Sequence, residues 1–194
     1  MNSMSRRYQE EYRRDCEKDY RRDYRKDHDK EEEKCPTIIK CGCPSSITIP
    51  ESAEAGDIFT LASLTLDTSC LCDPIIKLEF ASNIVITAGT SGAFTVQIFK
   101  QCKNQINPVP VGPAWAWNSG GANSVESETF SFFICDSDLC DDDCCTYIAR
   151  ATITTDVGNN SINVNNATLG AIATCKSNAC PRRCRRKDDE KYYY

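Results

Sequence analysis

Between residues 46 and 174 the chain alternates apolar and polar residues with a period of two. That constrains its fold more than any other feature. Phe94, Val96, Ile98 and Lys100 alternate with Thr95, Gln97 and Phe99, and Tyr147, Ala149, Ala151 and Ile153 alternate with Ile148, Arg150, Thr152 and Thr154. Successive side chains of an extended strand point to opposite faces, so each run offers one face to a core. The runs are SITI (46–49), IFTLASLTL (58–66), IIKLEFA (75–81), NIVITA (83–88) and AFTVQIFK (93–100). A Pro/Gly-rich loop precedes AWAW (114–117), SETFSFFIC (127–135), CTYIARATITT (145–155) and SINVNNATLGAIAT (161–174). They are rich in Ile, Val, Thr and Phe and are bounded by turn residues. No convincing helical pattern falls between 40 and 175. The expected fold is all-β: a single β-sandwich or jelly roll of about eight strands.

Two tails flank this domain. Residues 1–34 are a charged extension in which EYRRDCEK (11–18) and DYRRDYRK (19–26) repeat. Asp15–Lys18, Asp19–Arg22, Asp23–Lys26 and Asp27–Lys30 are acid-to-base pairs at a helical spacing. Tyr8, Tyr12, Cys16, Tyr20, Tyr24 and His28 recur every fourth residue, one drifting stripe if the segment is helical. The segment reads either as a solvated helix or disordered arm, or as an arm that presents the stripe to a neighbour. Residues 35–180 are the cysteine-rich sandwich. Residues 181–194, PRRCRRKDDEKYYY, are a short disordered basic tail. Of the eight tyrosines, only Tyr147 lies outside the tails.

Charge narrows the partners. The domain holds 6 Lys/Arg against 14 Asp/Glu, the N-terminal extension is balanced, and the C-terminal tail is net +3. An acidic domain lacks the positive field that nucleic acid requires. No stretch approaches the ~18 apolar residues of a membrane-spanning helix. The N-terminus has no apolar leader, so ordinary export is not expected.

Fourteen cysteines accompany a single histidine. Their spacing includes Cys41-Gly-Cys43, Cys70-Leu-Cys72 and Cys144-Cys145 but no CxxC, the bite that fits a tetrahedral zinc. Thiolate metal binding is therefore the alternative, and disulfide cross-linking the leading reading. Cys70, Cys72, Cys102, Cys135, Cys140, Cys144, Cys145 and Cys175 fall at strand ends and loops and are candidates for bonds within the domain. Cys16, Cys35, Cys41 and Cys43 lie before or at the start of the domain, Cys180 and Cys184 at or after its end, and these are candidates for bonds between subunits. Cys144 and Cys145 point to opposite faces of an extended strand, so one can bond inside while the other faces a neighbour.

Other constellations are weaker. Asp136, Asp138, Asp141, Asp142 and Asp143 supply hard oxygen ligands for Ca²⁺ but lack the EF-hand glycine and glutamate. His28 sits in a charged tail with nothing to hold it as a base, and no nucleophile-elbow, phosphate-loop or dinucleotide motif occurs. No enzyme activity and no cofactor are expected. Trp115 and Trp117 share one face if AWAW is extended. They either cap the core or form an aromatic anchor for a neighbouring subunit or a carbohydrate.

LTLDTSCLCDPIIKLEFASNIV (64–85), FTVQIFKQC (94–102), PVPVGPAWAW (108–117), ESETFSFFICDSDLC (126–140) and CCTYIARATIT (144–154) resemble a cysteine-rich domain of unknown function from clostridia and other spore-forming anaerobes. The likeness spans about residues 40–175. More loosely, a small all-β domain with a Cys-bearing arm resembles the subunits of endospore appendage fibres. In those, jelly rolls stack by β-augmentation and arm disulfides lock the stack. The arm here is longer and more charged. The resemblance implies a structural, self-assembling protein of the spore surface, whether coat, exosporium or appendage. It would be made in the mother-cell cytoplasm without a signal peptide and oxidised later. Its partners would be other copies of itself and other spore-surface proteins, with neither nucleic acid nor membrane among them. A thiolate metal-binding module and a carbohydrate-binding jelly roll are the competing readings.

Overall fold

The computed structural model describes residues 35–71, 73–103, 105–121, 123–137 and 144–176. The charged repeat, read as a helix or a disordered arm, and the basic tail lie outside the described residues. The strands are β1 (Ile38–Cys41), β2 (Ser45–Ile49), β3 (Ile58–Asp67), β4 (Pro74–Ile86), β5 (Ser91–Cys102), β6 (Val109–Asn118), β7 (Glu126–Asp136), β8 (Cys144–Gly158) and β9 (Ile162–Cys175). One sheet runs β1-β9-β4-β7, with β2 also paired to β9 beyond β1; the other runs β3-β8-β5-β6. Every pairing is antiparallel. This order is that of a jelly roll, in which each sheet draws its strands alternately from both halves of the chain.

The alternation read from sequence positions the core. Val96, Ile98, Ala149 and Ala151 of one sheet, and Leu78, Val164 and Leu169 of the other, are fully buried. Each large aliphatic among them contributes roughly 1.5–3 kcal/mol by leaving water.

Three departures from the sequence reading have physical causes. The runs at 75–81 and 83–88 form one strand, β4. A bulge against β9 at Ala81/Asn83 absorbs the irregularity without breaking the strand. β1 was not anticipated, because its residues are half-buried or exposed and carry no alternation. β6 begins inside the Pro/Gly-rich segment. Pro110 and Pro113 are tolerated because β6 is an edge strand, where a missing N–H costs no ladder bond.

A buried ion pair crosses between the sheets. Lys100 of β5 places Nζ 2.9 Å from Asp136 Oδ2 and 3.2 Å from Oδ1, with Asp136 at the end of β7. The Tyr147 hydroxyl of β8 donates to the same Oδ2 at 2.8 Å. Both charged side chains are buried, 5% and 4% exposed.

Gly42 lies between β1 and β2, where its N–H donates to Leu169 O at 2.8 Å. A Cβ there would meet Ser63 O at 2.9 Å and Leu169 O at 3.1 Å, both backbone atoms. Gly42→Val should therefore force β1–β2 away from β3 and β9. We expect a loss of about 1–3 kcal/mol, the usual cost of overpacking, read as a lowered urea midpoint. An unchanged midpoint would refute this close approach.

Candidate functional site

The topology sorts the cysteines. One end of the sandwich is built from the β3–β4, β5–β6 and β7–β8 connections, the start of β1 and the end of β9. Cys35, Cys70, Cys102, Cys135, Cys144, Cys145 and Cys175 all lie at this end. The opposite end is made by the β2–β3, β4–β5, β6–β7 and β8–β9 connections and carries no cysteine. Hydrogen bonds within the chain close it: Asn159 and Asn160 donate to Gly89 O and Ala88 O, each at 3.0 Å.

Two disulfides form at the first end. Cys102 and Cys145 are direct cross-strand partners on β5 and β8, 4.0 Å apart at Cα. Cys35 bonds Cys175 at the end of β9, 6.0 Å apart at Cα, closing a separation of 140 residues. The sequence reading grouped Cys35 with the intersubunit candidates. The structure corrects this, because β1 pairs antiparallel with the last residues of β9 and so carries Cys35 to the end of the same chain. The link belongs to the domain.

Cys41, Cys43, Cys135 and Cys144 are exposed and outside any disulfide. Their exposure follows from local structure. Gly42 is clamped against the backbones of β3 and β9, so the residues on either side of it both turn outward. On β7, Phe132, Ile134 and Asp136 face inward and Phe133 and Cys135 outward. Cys41 and Cys135 thus share the outer face of one sheet at its opposite edges. Three interstrand spacings separate them, roughly 14 Å, too far for a mutual bond, which requires Cα atoms within about 7 Å. On β8, Cys145 turns inward to Cys102 while Cys144, the first residue of the strand and opposite Asp67 of β3, is exposed on the other sheet's outer face. Cys70 is exposed in the β3–β4 connection. Cys16, Cys72, Cys140, Cys180 and Cys184 lie outside the described residues.

The acidic loop is altered as a calcium candidate. Asp136 ends β7 in the inward phase of its alternation and faces Lys100 and Tyr147, not solvent. Asp138, Asp141, Asp142 and Asp143 lie outside the described residues. Among the described residues, no three His, Cys, Asp or Glu side chains come together as a metal site.

The tryptophans divide. Trp117 is buried, stacks on Phe94 with ring centroids 4.9 Å apart, and donates from Nε1 to Glu128. It caps the core and is not an exposed anchor, because its position opposite Phe94 puts it on the inward face of β6. Trp115 is 42% exposed and stacks on Phe132 at 5.4 Å, covering the gap between β6 and β7. The cleft beside Trp117, lined by Ile84, Ile86, Asn118, Ser119, Glu126 and Glu128, has a volume of about 20 Å³. That is room for a single water.

The residues that sequence reasoning missed are Lys100 and its partners. The signal was present: a lysine on the inward phase of β5 and an aspartate on the inward phase of β7.

No curated protein matches the chain in sequence. Among solved structures it is similar to a chain of deformed wing virus, a honeybee pathogen, at 10% identity and TM-score 0.40, covering 80% of this chain and 54% of that one. It thus spans about half the length of that viral chain. It is also similar to the non-crystalline-cellulose-specific carbohydrate-binding module CBM28 (15% identity, TM-score 0.35, 64% and 73% covered). The family 11 carbohydrate-binding module from Clostridium thermocellum is a further match (14% identity, TM-score 0.31, 74% and 92% covered). These likenesses are too distant to bear on function. Over residues 35–174 the chain matches the DUF4489 model, a domain of unknown function, and it belongs to that family.

Proposed function

We propose that the protein is a structural, non-enzymatic subunit that self-assembles and is then cross-linked by disulfides between copies, at the surface of a spore. The observation that carries this reading is the placement of the thiols. The inward cysteines Cys102 and Cys145 are bonded within the chain, whereas Cys41, Cys43, Cys135 and Cys144 stand exposed. They are distributed over both outer faces, and a subunit with thiols on two sides can be joined on two sides, which is what chain growth needs. Covalent bridges would make the assembly kinetically stable, since dissociation would require reduction as well as separation. The edge strands β3 and β7 carry no proline, although β1–β2 cover part of β3, with the Ser45 hydroxyl on Leu61 O, and β6 lies beside β7. A stretch of edge left uncovered is a liability in a monomer and a joint in a polymer. The spore surface, and assembly in the mother cell before oxidation, come from the resemblance of the cysteine-rich segments. The cleft beside Trp117 is far smaller than ligand pockets, which are about 300–1,000 Å³, and so lends no support to carbohydrate binding there.

The test is electrophoresis of the oxidised full chain, alkylated in denaturant, with and without reductant. We expect high-mass ladders that collapse to the 21.7 kDa chain on reduction. Cys41→Ser with Cys43→Ser should leave the unfolding midpoint within about 0.5 kcal/mol of the parent, as exposed substitutions do, while its assemblies come apart in detergent. A single monomeric band from the oxidised parent, or ladders undiminished in the double variant, would count against the reading.

A further inference from the structure

We propose that Lys100 and Asp136 condense into a side-chain amide, an intrachain cross-link between the two sheets. The inference is independent of the assembly reading. Three observations carry it. First, nucleophile and acyl group are in contact: Nζ is 2.9 Å and 3.2 Å from the two carboxylate oxygens. The carbon between those oxygens is therefore within the about 3–3.5 Å from which bond formation starts. Second, water is excluded. The side chains are 5% and 4% exposed. Lys100 lies between Ile98 and Cys102 on the inward phase of β5, Asp136 follows Ile134 and stands opposite Ile76, and all four neighbours are buried. Third, a proton donor is in place. Tyr147 Oη is 2.8 Å from Oδ2, the oxygen that has to leave.

The step balances without any other reactant. Passing one proton from the ammonium to Oδ2 leaves an amine against a carboxylic acid, with no net charge to bury. The nitrogen lone pair attacks Cγ and the C–N bond forms. Tyr147 gives its proton to Oδ2 as the C–Oδ2 bond breaks, and takes back the second proton from nitrogen. One water leaves carrying both hydrogens lost by nitrogen, the phenol is restored, and nothing is oxidised or reduced. Burial protects the product, since hydrolysis would need bulk water to reach a bond between side chains only 5% and 4% exposed. Holding the two groups together on rigid strands replaces the bimolecular encounter that makes this condensation slow in solution.

The experiment is the intact mass of the full chain, reduced and alkylated in denaturant, followed by peptide mapping. The expected result is a chain lighter than its sequence by one water, with the peptide of Lys100 joined to the peptide of Asp136. Lys100→Met, measured the same way and so independent of whether it folds, should carry its full mass. A parent chain of full mass with the two peptides separate overturns the proposal. So does a water missing from Lys100→Met, or one mapped elsewhere.

Discussion

Replacing Cys35 and Cys175 together by serine is expected to remove about 5 kcal/mol of stability, the chain-entropy value for a loop of 140 residues. The bond ties the start of the described domain to the end of its last strand, so its loss frees the longest loop among the described residues. The effect is also local. β1 is held only by β9 in the sheet ladder, and Cys175 N–H donates to Cys35 Sγ at 3.2 Å. Without the bond, the four residues of β1 should fray first, carrying Cys41 with them. Urea unfolding under oxidising conditions measures the loss, and hydrogen exchange at residues 38–41 measures the fraying. An unchanged midpoint would mean that antiparallel pairing alone fixes this edge. The Cys102–Cys145 bond, with a separation of 43 residues, is worth about 4 kcal/mol on the same basis. The serine variant of that pair should therefore fall short of the first in its loss.

The second large effect concerns the contact between the sheets. Lys100→Met leaves Asp136 buried with its main positive partner gone, and Asp136→Leu leaves Lys100 in the same position. Each should cost at least about 3–5 kcal/mol, the penalty for orphaning one member of a buried pair. The double variant should be more stable than either single one, because an apolar pair of similar size carries no stranded charge. Urea curves of the parent and the three variants decide the matter. A double variant that loses the sum of the two single losses would show that the groups act independently, contrary to the geometry of their contact.

Much of the fold was legible because alternation reports burial directly. The alternation separated Phe94, Val96, Ile98 and Lys100 on β5, and Tyr147, Ala149, Ala151 and Ile153 on β8, from their neighbours, and these sets are the buried phases in the structure. What was not legible has two causes. β1 has no buried face to impress a pattern on IIKC, and the polar pair Ser82-Asn83 mimics a turn although a bulge carries β4 through it. Cysteine pairing was hidden for a different reason. Spacing along the chain is silent about which strand ends meet, so Cys35 was placed with the tail although its partner is the last residue of β9. The Lys100–Asp136 contact joins residues 36 apart on opposite sheets, and only the stacking of the sheets brings them together.

The segregation of cysteines to one end of the sandwich has a consequence for direction. Judged by the described residues, a brick whose end cysteines all lie at one end cannot be laid nose to tail through them. Two domains bonded directly through their cysteine-bearing ends must point in opposite senses, and a third added through the thiols on a sheet face runs beside them. Growth by such bonds cancels direction at each end-to-end joint. The resulting array would have equivalent faces above and below, each made of the hydrogen-bonded, cysteine-free turns around Asn159 and Asn160.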